Sequence, residues 1–251
     1  MNACLLGYAT GQFADARLEF APRWIRHHAK IFRPQDIYIV GNNVNRNLFH
    51  DVNLIVRDHP DNAWYDVFWE MACVYEQIVR LRLKYNTVVF ASMDEFLCLS
   101  SPLDYIVDQK YTPCLRIPTY DVIHDPLTEP AIDNTKSTLS QRMFWKFAPG
   151  STHPSIFHDS LAMSLGCHSL AGVEPHNIPW ADGAIWLHAK REDYHMLHAR
   201  TRERIQWPWG DAQHIQGLSE QNKLSDDALD RWYFQDVNSV ELTHTDFEEI
   251  P

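Results

Sequence analysis

Two adjacent carboxylates, Asp94 and Glu95, follow directly on a β-branched and apolar run in the stretch "TVVFASMDEFLCLSS", residues 87–101. A short apolar run bounded by polar signals predicts a buried strand. Such a strand does not end in two unpartnered charges without compensation. A metal ion, a cationic partner or a ligand would supply it; a capped, solvated strand end is the plain alternative. Other residues with chemical capacity are scattered. His168 stands in "LGCHSL" after an expected strand, and His188 ends "AIWL". Lys146, Lys190 and Arg191 fall near expected strand ends, where cations could meet an anionic ligand, with solvated side chains as the plain alternative. Asp182, in "PWADGA", is the candidate general base for deprotonating a hydroxyl, with Asp121 and Glu174 as rivals that the residues alone do not separate. Among fourteen histidines several are incidental. His27 and His28 share one helix, where one packs and the other is wet, while His195 and His198 read as surface residues. Trp180, Trp186, Trp207 and Trp209 have flat faces on which a ligand ring could stack, with core packing the stronger reading for Trp186.

The elements that must carry these residues alternate. "ACLLGYA" reads as a strand, and "EFAPRWIRHHAKIF" as an amphipathic helix with Pro22 in its first turn. "DIYIVGNN" and "NLIVRDHP" are strands, the first ending in a Gly-Asn-Asn turn. "AWYDVFWEMACVYEQIVRLRLKY" is a long helix, and the strand before Asp94 follows it. That rhythm predicts an α/β fold with a mixed, largely parallel sheet flanked by helices. In open α/β sheets ligands bind beyond the carboxyl ends of the strands. The loop after Leu6, the turn at Gly41 to Asn43 and the Asp94–Glu95 pair should therefore converge. Beyond residue 101 the pattern weakens. "YTPCLRIPTYDVIH" contains a strand, "DPLTEPAIDNTKSTLSQ" is a loop or flap, and "MFWKFAPGSTHPSIF" and "AMSLGCHSLAGV" suggest short strands. "AIWLHAKREDYHMLHARTRER" runs from strand to helix, and a further helix is expected near "DDALDRWYF".

Composition limits the partners. The 251 residues are 45% hydrophobic and 12% aromatic, which is a folded chain with a core. A net charge of −11, with Lys and Arg scattered, speaks against nucleic-acid binding. Anionic ligands must then be held locally, by a metal or a few placed cations. The five cysteines show no CxxC spacing and read as reduced core residues. No segment approaches the length of a membrane span, and the N-terminus lacks a leader pattern. The expectation is a cytoplasmic protein.

The combination "APRWIRHHAKIFRPQDIYIVGNN" followed by "VRLRLKYNTVVFASMDEFL" resembles the family 2-like glycosyltransferases of the GT-A fold. Their pattern is a helix of the type L-x-x-W-x-x-H-H before a strand with an Asn- or Asp-rich turn, and a later strand ending in D-x-D-E-F-L. "GCHS" and "WLHAKREDYHMLHAR" extend the likeness more loosely. The resemblance implies one GT-A-like unit, with a nucleotide-sugar half (1–101), an acceptor half (102–205) and a C-terminal extension (206–251). It implies transfer of a sugar, with inversion, from a nucleotide-diphosphate donor to a glycan or lipid-linked saccharide in polysaccharide biosynthesis. Ser92, Asp94, Glu95, Lys146 and Asn42 would serve the donor. Mn²⁺ or Mg²⁺ would be held by Asp94, with His168 or His188 from the second half. The pattern departs at Ser92, where the family has an acid, and in "GNNVNRN", which lacks the acid that often meets the nucleotide. A non-catalytic glycan- or nucleotide-binding module on the same scaffold is the competing reading. A nucleotidyltransferase is a third, disfavoured because no Gly-rich phosphate loop follows the first strand.

Overall fold

The computed structural model describes residues 2–10, 20–64, 66–109, 112–133, 135–136, 140–142, 144–164, 168–204 and 228–230. Ten strands and four α-helices are found among them: β1 (Ala3–Thr10), α1 (Phe20–His28), β2 (Ile37–Asn42), β3 (Asn53–Val56), α2 (Val67–Arg82), β4 (Thr87–Ser92), β5 (Glu95–Leu99), α3 (Leu103–Val107), β6 (Cys114–Arg116), β7 (Thr119–Ile123), β8 (Phe144–Phe147), β9 (Pro154–Phe157), β10 (Ala184–Arg191) and α4 (Tyr194–Arg204).

The strands form two sheets. One has the order β3-β2-β1-β4-β9-β6 and the other β5-β10-β7-β8. β1 lies between β2 and β4 and is parallel to both, and β3 is parallel to β2. β9 runs antiparallel to β4, so the sheet is mixed as expected. All eight residues of β1 are buried, which is why "ACLLGYAT" reads as an unbroken apolar run rather than an alternation. One face of the large sheet packs with α1 around Leu5, Trp24, Ile39 and Val89; the other packs with α2 around Leu6, Val74, Ile78 and Phe90. α2 begins where Asp66 accepts hydrogen bonds from the N–H groups of Phe68 and Trp69, an N-cap that meets two otherwise unpaired donors.

The second half departs from the sequence reading in detail. "YTPCLRIPTYDVIH" makes two strands, β6 and β7, that enter different sheets. The described residues of "AMSLGCHSLAGV" make isolated bridges, Met163 to Leu170 and Leu170 to Val173, instead of strands. Of the helix expected near "DDALDRWYF", residues 228–230 are described and helical; the rest lies outside the described residues, as do Trp207, Trp209 and the loop at 11–19. Cys4, Cys73, Cys98 and Cys114 are buried free thiols, and burial pushes Cys73 up to about 11 and Cys114 up to about 12; Cys167 lies outside the described residues. No helix among the described residues is long and apolar enough to cross a membrane.

Candidate functional site

The chain changes sheets between Ser92 and Glu95. β4 ends at Ser92 in the large sheet, Met93 and Asp94 turn, and β5 begins at Glu95 in the small one. Asp94 therefore sits on the seam, at the carboxyl end of β4 and beside β1, where the strand order reverses from β1-β2-β3 to β4. The turn is pinned from several sides. The Ser92 N–H donates to Glu95 Oε2 at 2.8 Å, the Ser92 carbonyl accepts from Trp24 Nε1 at 2.9 Å, and the Asp94 carbonyl accepts from the Ala189 N–H at 2.7 Å. Gly7 makes room beneath it, since a Cβ there would lie 2.8 Å from Met93 Cε and 3.1 Å from Trp24.

α1 explains why "WIRHH" accompanies the acids. β5 is an edge strand of the small sheet, so Leu97 turns backbone groups away from β10 that need partners. His27 donates from Nε2 to the Leu97 carbonyl at 2.7 Å, and His28 Nε2 accepts from the Leu97 N–H at 3.3 Å while its Nδ1–H donates to the Trp24 carbonyl at 2.9 Å. Burial holds His27 down at about 4 and His28 well below the usual imidazole range, so both stay neutral for these bonds. Neither is the wet histidine that the helical pattern suggests. Both fasten the strand that carries Glu95.

The small sheet lines up a row of charges. Glu95 is in register with His188, His188 with Asp121, and Asp121 with Lys146, across β5, β10, β7 and β8. Residues in register on neighbouring strands share a face. His188 Nδ1 lies 2.7 Å from Asp121 Oδ1, and its Nε2 lies 3.5 Å from Asp94 Oδ2. Arg191 Nε approaches Asp121 Oδ2 at 3.6 Å. Burial disfavours the His188 imidazolium, but the carboxylates of Asp94 and Asp121 outweigh it and push the ring up to about 10. Burial likewise opposes ionisation of Asp121, yet His188, Arg191 and Lys190 hold it below the usual carboxylate range.

Below the row, buried His153 places Nε2 2.7 Å from Glu95 Oε2 and Nδ1 2.9 Å from the Pro154 carbonyl. Both ring nitrogens face acceptors, which requires the doubly protonated ring. Burial works against that charge, and the Glu95 carboxylate overcomes it, raising His153 above its ordinary value. Glu95 Oε2 takes both this bond and that of the Ser92 N–H, so Glu95 shapes the turn. His153 has no local sequence pattern; it reaches Glu95 from 58 residues away.

The residues singled out from the sequence now separate. Asp94 and His188 meet, and Lys146 stands in their row. His168 is exposed, in the loop that follows the described residue Ser164. Asn42, the expected donor contact, has a structural role at the end of β2. Its side chain is 0% exposed and fully used: Nδ2 donates to the carbonyls of Ala63 and Trp64 and to Thr10 Oγ1, while Oδ1 accepts from the His59 N–H and from Asn43 Nδ2. It ties the end of β2 to the loop before α2. Asp182, the candidate base, lies on the loop before β10. It is exposed, six residues before His188, roughly 15–20 Å away at about 3.3 Å per strand residue, with Oδ2 3.4 Å from the Tyr105 hydroxyl. Of its rivals, Asp121 joins the row, and Glu174 lies exposed in a separate loop.

Among the described residues no three His, Cys, Asp or Glu side chains gather as a metal-binding set. Asp94 Oδ2 and His188 Nε2 meet as an ion pair at 3.5 Å, and they are two of the several oxygen and nitrogen donors that a Mg²⁺-sized ion takes.

No family model matches the sequence, and no curated protein sequence matches it. Solved structures with a similar arrangement include S. aureus TarS 1–349 in complex with UDP-GlcNAc, at 12% identity and a TM-score of 0.40, covering 89% of this chain and 70% of that one. A second S. aureus TarS structure matches at 10% identity and a TM-score of 0.38 over 88% of this chain and 42% of its own length. The galactosyltransferase LgtC in complex with donor and acceptor sugar analogues matches at 10% identity and a TM-score of 0.28, over 81% and 64% of the two chains.

Proposed function

We infer that the chain is a metal-assisted glycosyltransferase. It takes a hexose from a nucleotide-diphosphate donor, with inversion, and passes it to a glycan or lipid-linked saccharide. The observation that carries this reading is the meeting of Asp94 and His188 at the seam of the two sheets, with His188 tied back through Nδ1 to Asp121. This is an arrangement for presenting one carboxylate oxygen and one imidazole nitrogen to a divalent cation in an otherwise acidic protein. Mn²⁺ or Mg²⁺ held there would neutralise the charge that grows on the leaving diphosphate.

The protein's own residues supply orientation. Glu95, clamped by His153 and the Ser92 N–H, fixes the turn so that Asp94 faces β10. His27, His28 and Trp24 hold that turn and β5 against α1. Lys146, one strand beyond Asp121, adds a cation on the same face, where it suits the diphosphate. The acceptor hydroxyl attacks the anomeric carbon as the bond to the diphosphate breaks, and its proton passes to a carboxylate base, for which Asp182 is the candidate from the sequence. The test is turnover of UDP- and GDP-sugars, with transfer or hydrolysis read as released nucleotide diphosphate. Turnover that depends on Mn²⁺ or Mg²⁺ and is lost in excess chelator is the expected result.

Ser92 favours a second reading. With serine where the resembled motif has an acid, the described protein ligands number two, and a binding module that holds nucleotide or glycan without turnover fits that reduced set. Saturable, metal-dependent nucleotide binding with no product release across the donor panel would select it.

A further inference from the structure

Away from the charge row, the small sheet carries aromatic rings that the core does not cover. Phe147 and Trp180 each keep 43% of their surface exposed. Tyr120 and Phe147 are in register on β7 and β8, one residue along from Asp121 and Lys146, so strand alternation puts them on the opposite face from the charge row. Their ring centroids lie 5.5 Å apart, and Phe147 lies 6.3 Å from Trp180, which makes one continuous shelf. The Arg116 guanidinium sits over the Trp180 ring, 4.1 Å from its centroid. We propose that this shelf binds a saccharide chain bearing an anionic substituent, with sugar rings stacked on Trp180 and Phe147 and the anion held by Arg116.

Trp180 is exposed yet firmly held. The residues on either side of it are bonded to Arg116: the Arg116 N–H donates to the Pro179 carbonyl at 2.9 Å, and the Ala181 N–H donates to the Arg116 carbonyl at 2.7 Å. Gln109 clamps the next residue, its Nε2 donating to the Asp182 carbonyl and its Oε1 accepting from the Asp182 N–H, both at 3.0 Å. A ring fixed in advance loses little freedom when a ligand covers it. Its flat apolar face suits the C–H face of a sugar, whose hydroxyls stay in water. Arg116 supplies the charge. Its Nε donates to the Ile178 carbonyl at 3.1 Å, and no carboxylate among the described residues pairs with it. Asp182, two residues from Trp180, turns Oδ2 to the Tyr105 hydroxyl at 3.4 Å instead. A guanidinium that stays charged, lies beside a solvent-facing ring and has no acid of its own is complementary to a carboxylate or phosphate. Binding there needs neither a metal nor a nucleotide, so the shelf goes beyond the transferase reading and does not depend on it.

The experiment is isothermal titration calorimetry of the full chain, in excess chelator and without nucleotide. Trigalacturonate and maltose 6′-phosphate are the carboxylate- and phosphate-bearing probes, and maltotriose is the neutral one. At least one acidic probe should bind saturably and about tenfold or more tighter than maltotriose, and which one does identifies the anion. Trp180→Ala and Arg116→Gln should each weaken that binding by about tenfold or more, the scale of losing an aromatic anchor or a charged hydrogen bond. Trp180→Phe, which keeps a ring, and Arg116→Lys, which keeps the charge, should lose less; a melting curve accompanies each variant. Wild-type affinity in both Trp180→Ala and Arg116→Gln overturns the shelf, as does the failure of all three probes to bind. Equal affinity for maltotriose and the acidic probes overturns the role of Arg116. Loss of binding in Asp94→Asn with none in Trp180→Ala would move the saccharide to the seam of the sheets and overturn the shelf. Acidic-probe binding that follows Trp180 and Arg116, in a chain that turns over no donor, would support the shelf while overturning the transferase reading.

Discussion

At the scale of single residues, Asp94 and Glu95 are neighbours with different work. Glu95 is buried and paired with His153, whereas Asp94 is partly exposed beside His188. Replacing Asp94 by Asn keeps its shape and removes its charge. Donor turnover should fall by about 10² or more, the scale of losing several kcal/mol of charge stabilisation. Ser92→Ala should cost far less, because the Ser92 bonds seen are made by its backbone. Ser92→Asp should tighten Mn²⁺ binding in a metal titration, and an unchanged titration would show that position 92 does not face the cation. His153 gives a pH signature. Its folded-state value is raised above the ordinary 6.5, so the stability it contributes is complete below about pH 6.5 and is lost as pH climbs through the raised value. His188, raised to about 10, has the same sign over a wider range. Chemical denaturation of wild type and His153→Gln from pH 5.5 to 9 should therefore show a difference that shrinks as pH rises. A constant difference would mean that the His153–Glu95 pair does not change protonation over that range. The acids and the "WIRHH" helix were legible in the sequence because each is a local pattern. Asp121 and His153 were not, because their roles arise from register and from a contact 58 residues distant.

At the scale of elements, the parallel core β3-β2-β1-β4 followed from alternating apolar runs and amphipathic helices, whose periods are visible in one dimension. The small sheet was harder to foresee. β5 pairs with β10 across a wide sequence separation, Leu99 with Ala184 and Glu95 with His188, and the short strands of this sheet carry little periodic signal. Asn42 shows how a residue read as a ligand contact belongs to the joints between elements. Asn42→Ala should destabilise the fold by about 1–3 kcal/mol by leaving buried backbone partners unsatisfied, read by chemical denaturation. A second joint is the buried ion pair of Arg23 in α1 with Glu192 after β10, where Arg23 also lies over the rings of Phe20 and Phe96. Removing one partner of a buried pair costs about 3–5 kcal/mol because the other charge is stranded. Glu192→Gln should show a loss of that order in the same assay. A loss below about 1 kcal/mol would place the pair in contact with solvent.

At the scale of the whole molecule, the proposed function has a chain of net charge −11 binding a polyanion where its two sheets meet. The large sheet contributes strand ends, the small sheet contributes His188, Asp121 and Lys146, and α1 locks the turn between them. An acidic protein of this design should hold a nucleotide diphosphate only through a cation shared with Asp94 and His188. The most direct measurement is a thermal-shift titration of the wild type with uridine and guanosine diphosphates, with and without Mn²⁺. A nucleotide at about 100 times its dissociation constant stabilises by roughly 2.7 kcal/mol, a shift large enough to read. The account predicts that shift with Mn²⁺ present and its disappearance in excess chelator; equal stabilisation with and without chelator would contradict it.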